Sequence, residues 1–91
     1  MGLKSTTVCL GYQQITSLSA ATNLTVPSGA TLAVIIPEAQ NVRWRDDGTA
    51  PTSTVGMPVA VGVVLSYDGD LKKIQFIQQA SGGILNISYY A

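Results

Sequence analysis

The sequence predicts an all-β fold in a single domain: an antiparallel β-sandwich or jelly-roll-like barrel of about seven or eight short strands. Three observations predict it. Apolar side chains recur at every second position through most of the chain, the alternation of a strand. Turn signals built from Gly, Pro and Asp interrupt those runs at short intervals. No stretch holds a helical period long enough to form an amphipathic helix. All 91 residues are read as one domain, with residues 1–6 as a flexible arm ahead of it.

Val8, Leu10 and Tyr12 alternate with Thr7, Cys9 and Gly11 and mark the first strand. Cys9, inside this run, is expected to be a small buried hydrophobe. Ile15 hints at a second short strand, and Ser19, Ala20 and Ala21 begin a connection. Leu24 and Val26 flank Thr25 as a further strand, which Pro27-Ser28-Gly29 ends in a turn. Over residues 30–36 both faces are apolar, with Leu32, Val34 and Ile36 on one side and Ala33 and Ile35 on the other. Such a strand is central in a sheet, or its outer face meets a partner. Pro37 lacks an N–H and is expected to stop its ladder.

Val42 and Trp44 then share one face of a short strand, and Arg43 and Arg45 share the opposite one. Asp47-Gly48 turns the chain into a polar loop stiffened by Pro51 and ended by Gly56. Val59, Val61, Val63, Leu65 and Tyr67 fall on one face of what reads as one long strand, with a bulge or bend at Gly62. Asp68-Gly69-Asp70 is a hairpin-type turn signal. Ile74 and Phe76 point one way, Lys73, Gln75 and Ile77 the other, and residues 80–83 turn again. The last strand sets Leu85, Ile87 and Tyr89 against Asn86, Ser88 and Tyr90, which ties the C-terminal residues into a sheet.

Composition narrows the function. A domain this size buries only about 60–65% of its unfolded surface, so its core is thin. Charged residues make up 11% of the chain against about 25% in typical domains, and the formal net charge is zero. Little repulsion keeps such molecules apart, so part of the surface is expected to be covered by partners. Sparse charge also leaves edge strands unprotected, and neighbours would cover them. Balanced charge gives no footprint for nucleic acid or an anionic membrane. The longest apolar runs are far below the roughly 20 residues that span a bilayer, and the first residues lack the apolar core of a signal peptide.

Catalytic chemistry is hard to find. Histidine is absent and Cys9 is the single cysteine, which removes the ordinary base, the zinc box and an internal disulfide. The pairs Asp46 with Asp47 and Asp68 with Asp70 could share a proton or hold calcium. Each sits on a glycine turn, where aspartate bonds its local backbone, and that structural role is preferred. No glycine-rich phosphate loop precedes a helix. No enzyme, cofactor or metal is expected.

The densest chemistry lies in residues 41–56, which hold the sole tryptophan and both arginines. In a structural reading Trp44 anchors the core while Arg43 and Arg45 pair with Asp46, Asp47 or Glu38. In an interface reading Arg43, Arg45, Asp46, Asp47, Thr49, Pro51 and Thr52 meet another subunit, since Trp and Arg dominate interface hot spots. A third reading, Trp44 as a platform for sugar, suffers because alternation turns Trp44 inward with Val42.

The run Asn-Val-Arg-Trp-Arg-Asp-Asp-Gly-Thr-Ala-Pro-Thr at 41–52 is followed by Gly56-Met57-Pro58, Tyr67-Asp68-Gly69-Asp70-Leu71, Ile74-Gln75-Phe76-Ile77 and Leu85-Asn86-Ile87-Ser88-Tyr89-Tyr90. In this order, over residues 24–91, the motifs resemble a family of small virion proteins of tailed bacteriophages and prophages. The resemblance implies a head-associated decoration or cement protein on the capsid surface, made in the cytoplasm of a bacterial host. It further implies binding to the major capsid protein or other virion proteins as a homo-oligomer, a trimer first. No catalytic residue comes with it. Alternatives are a neck, tail or fibre-associated component and a host-glycan-binding module.

Overall fold

The computed structural model describes residues 7–91; the arm expected at residues 1–6 lies outside them. Eight strands follow in order: β1 (Cys9–Ile15), β2 (Thr22–Asn23), β3 (Leu32–Glu38), β4 (Val42–Arg45), β5 (Met57–Val59), β6 (Leu65–Tyr67), β7 (Gln75–Gln78) and β8 (Ile84–Tyr90). They form two four-stranded sheets, ordered β1-β8-β3-β6 and β2-β7-β4-β5. Every pairing is antiparallel. The within-sheet pairs β1 with β8, β2 with β7, β3 with β6 and β4 with β5 are those of one long hairpin rolled across two sheets. This is the jelly-roll arrangement of a β-sandwich.

The inner faces meet in one core. Ala33, Ile35, Leu85, Ile87 and Tyr89 come from the first sheet, and Val42, Val59 and Phe76 from the second. Leu18, Leu71 and Ile74 close it from the connections. Each large apolar side chain buried there contributes about 1.5–3 kcal/mol. The alternation of the last strand is realised fully: Leu85, Ile87 and Tyr89 are buried and their neighbours are half-buried. β8 is a central strand, and Ala91 exchanges backbone hydrogen bonds with Val8 beyond its end.

Several expectations need correction. The run read as one strand over residues 59–67 is two strands in opposite sheets, β5 and β6. Gly62 takes φ +80°, a left-handed turn geometry, and the valines around it sit in the connection. Alternation alone cannot separate a strand from an apolar turn. Leu24 and Val26 lie beyond β2, which covers only Thr22–Asn23. Gln13–Ile15 extends β1 instead of starting another strand. Tyr12 faces outward, because Gly11 and Gln13 pair with the inward-facing Tyr89 and Ile87; a register shift between Cys9 and Gly11 breaks the alternation there, and Val8 and Leu10 are exposed on the edge strand. Cys9 lies on that edge strand and is exposed.

Pro37 is inside β3, and its ladder with β8 runs on to Glu38. Backbone groups of one residue point to the same side of an antiparallel strand, and the Pro37 carbonyl accepts from Gly62 N on the β6 side. The missing N–H therefore faces a flank where pairing with β6 has already ended at Ile35. Asp68-Gly69-Asp70 joins β6 to β7 across the sandwich and makes no hairpin.

Candidate functional site

The alternating strand directions send the connections to two ends. One end carries residues 16–21, 39–41, 60–64 and 79–83, which contain no charged residue. They are stitched together by Gln78 N to Leu18 O, Gln79 N to Asn41 O, and Val61 N to Asn41 Oδ1. Val61, Val63 and Val64 project from this end with 48%, 50% and 58% of their surface exposed. The opposite end carries residues 24–31, 46–56 and 68–74. Apart from Glu38 at the tip of β3, every charged side chain among the described residues lies on β4 or on these connections.

The Arg-Trp-Arg strand builds most of the charged end. Arg45 forks onto Asp47, with Nε to Oδ1 at 3.0 Å and Nη2 to Oδ2 at 2.5 Å. That hydrogen-bonded pairing lowers the Asp47 carboxyl to about 2, so it is a fixed anion at neutral pH and not a proton donor. Arg43 turns onto backbone carbonyls of the following loop, Nε to Ser53 O at 3.2 Å and Nη1 to Gly56 O at 2.9 Å. Tyr67 donates from its hydroxyl to Asp46 Oδ2 at 2.5 Å. Burial first, and then the Asp46 carboxylate, push that phenol up to about 12.

Trp44 is half-buried at the rim of the core, its ring meeting Tyr67 edge to face with centroids 5.7 Å apart. It lines an open cleft of about 380 Å³ together with Arg45, Asp46, Asp47, Val55 and Met57. Alternation placed Trp44 correctly on the inner side of β4, yet β4 stops one residue later, so the indole stands at the sandwich mouth. The loop wall is firm. Pro51 is buried, and a Cβ on Gly56 would press on Arg43 Cβ at 3.1 Å, Pro51 Cβ at 3.2 Å and Trp44 O at 3.2 Å.

Of the residues read as an interface, Arg45, Asp46 and Asp47 meet at this cleft. Arg43 and Pro51 act behind it by holding the loop. Thr49 and Thr52 are exposed on the loop, and the Thr52 hydroxyl accepts from Val55 N at 3.0 Å. Asp68 and Asp70 lie at the next connection, where Asp70 Oδ1 accepts from Lys72 N, a turn role. No three His, Cys, Asp or Glu side chains among the described residues gather as a metal site.

A second surface is the outer face of the first sheet. Leu32, Val34 and Ile36 form an apolar spine along β3, flanked in register by Tyr90, Ser88 and Asn86 of β8 and by Ser66 of β6. Tyr12, 64% exposed, continues it across β8. Glu38 is its one charge, and Glu38 Oε1 accepts from Asn86 Nδ2 at 3.0 Å. This face runs into the uncharged end.

Comparison with protein-family models, curated proteins and solved structures finds no match to this chain.

Proposed function

We propose that this chain is a non-enzymatic structural protein of a tailed-phage virion, a decoration or cement protein that docks on the head surface. The observation that carries the reading is the surface made by the outer face of the β1-β8-β3-β6 sheet and the valine-bearing end, on which Glu38 is the one charge among the described residues. An apolar spine at Leu32, Val34 and Ile36 set among neutral Ser, Asn and Tyr neighbours, together with the exposed valines of the adjoining end, suits protein contact. It suits a partner whose own surface is uncharged, since few ions must be desolvated. The motif resemblance to phage virion proteins supplies the kind of partner: the major capsid protein or a neighbouring virion subunit. Repetition by particle symmetry, and trimerisation of the chain, would let modest contacts add through avidity.

The arginine-rich strand is the competing contact surface. Its guanidinium groups are already engaged within the chain, by Asp47 and by two loop carbonyls, which leaves fewer donors for a partner. The test is a particle lacking the protein, to which purified wild-type chain is added. Saturable co-sedimentation at hundreds of copies, with greater resistance to heat or chelation, supports the reading. Absence from purified virions, or particles equally robust without it, defeats it. A count of six or twelve copies would reassign the chain to the neck or tail.

A further inference from the structure

The geometry points to the Trp44 cleft as a binding site for a neutral saccharide. This reading is independent of the docking role, since it concerns the opposite end of the sandwich. Its volume, about 380 Å³, falls within the range of about 300–1,000 Å³ in which small ligands bind.

The lining alternates two kinds of group. Trp44, Val55 and Met57 supply an apolar floor and wall, and Val55 and Met57 are each more than half exposed. Asp46, Asp47 and Arg45 supply acceptors and donors at the margin. These polar groups are set before any ligand arrives. Asp46 is oriented by the Tyr67 hydroxyl through Oδ2, and among the described residues no donor reaches its Oδ1. Arg45 uses Nε and Nη2 on Asp47, which leaves Nη1 unengaged. A pyranose matches this arrangement. One ring face presents C–H groups to an indole, while its edge presents hydroxyls that donate to a carboxylate and accept from a guanidinium.

An apolar peptide side chain fits less well. It would cover Asp46 and the Arg45–Asp47 pair without replacing their water, and burying unpartnered charge is costly. An acidic sugar would meet two carboxylates against one guanidinium, so the charge balance favours a neutral ligand. The loop wall, fixed by Arg43, Pro51 and Gly56, spares the ordering cost that weakens binding by loose loops.

Trp44 is the only tryptophan, so its fluorescence reads this site alone. Purified full-length chain is titrated with neutral di- to tetrasaccharides of hexoses and N-acetylhexosamines. The expected result is a saturable change in Trp44 emission with a Kd on the order of 1 mM. Asp46→Asn, which keeps an acceptor for Tyr67, should weaken it about tenfold, as should Met57→Ala, with melting curves unchanged. NMR shifts on the same samples should map to residues 44–57. No saturable response across the panel overturns the inference, as does a response that both variants leave intact or one elicited by apolar peptides alone. Particle binding is measured separately, so loss of either property leaves the other readable.

Discussion

The two ends of this jelly roll solve opposite problems with the same strands. At the charged end, Arg45 pairs with Asp47, Arg43 binds the carbonyls of Ser53 and Gly56, and Tyr67 donates to Asp46. That end is polar, internally bonded and shaped into a cleft. The other end has no charge in any of its connections and presents Val61, Val63 and Val64 to solvent. The contrast teaches that a low overall charge says less than where the charge sits. Among the described residues this chain does not thin its charge evenly; it concentrates charge on one pole and leaves the other pole, with one outer sheet face, a single charge at Glu38.

The largest effect should come from putting charge on the bare pole. Val63→Asp or Val34→Asp is expected to reduce the proposed particle binding at least about 100-fold, equivalent to roughly 2.7 kcal/mol. The melting temperature should move by only a few degrees, since both side chains are at least partly exposed. Arg45→Ala, on the charged pole, should leave particle binding within about threefold. Equal losses at both poles would erase the distinction.

Next in size are two glycines, one at each pole. A Cβ on Gly69 would overlap the Tyr67 hydroxyl, so Gly69→Ala should displace the ring from Asp46 and Trp44 and cost about 2–4 kcal/mol. At Gly62 a Cβ meets nothing, and only its φ of +80° opposes a side chain, so Gly62→Ala should cost about 1 kcal/mol. Denaturant unfolding of both variants compares a packed pole with an open one.

Arg43→Ala removes two hydrogen bonds to loop carbonyls and is expected to cost about 1–3 kcal/mol. Amide exchange should quicken over residues 51–56 and not over 60–64. If the whole sandwich loosens together, Arg43 is holding the core and not the loop.

The smallest contrast is in pH. Tyr67 and Tyr89 are both raised to about 12, Tyr89 by burial. A phenol raised in the fold favours folding while it stays neutral. Its contribution is therefore complete below the ordinary value near 10 and is lost as pH rises toward 12. Asp47 behaves oppositely: lowered from 3.8 to about 2, its contribution is present above about 4 and fades as pH falls toward 2. Tyr67→Phe should flatten the alkaline limb of stability, and Asp47→Asn the acid limb. Unchanged limbs would mean that these groups titrate alike in the folded and the unfolded chain.

Much of this architecture is legible in residue alternation. β8 and β4 follow their pattern, and the two-sided apolar run over residues 30–36, expected to be central or to meet a partner on its outer face, holds a strand, β3, that is central in its sheet. The misreadings share one cause. Alternation reports which side chains share a face but neither which face is inside nor where a register shift such as that between Cys9 and Gly11 falls, so Cys9, expected to be a small buried hydrophobe, is exposed. It also continues unbroken through Gly62, although the chain there leaves one sheet for the other. The polarity of charge was not legible at all, because residues 46–56 and 68–74 become neighbours only through the strand order. The cleft was hidden for a related reason: Trp44 does face inward, but β4 ends beside it and opens its ring to solvent.

The central claim is that the bare pole and face dock while the charged pole points away. The most direct measurement is a cryo-electron microscopy map of the assembled particle in which this sandwich can be placed and oriented. The expected map sets Val34, Val63 and Val64 against a neighbouring subunit and leaves the Trp44 cleft open to solvent. A map with Arg45, Asp47 and Thr52 buried in the contact and the valines facing solvent would contradict it.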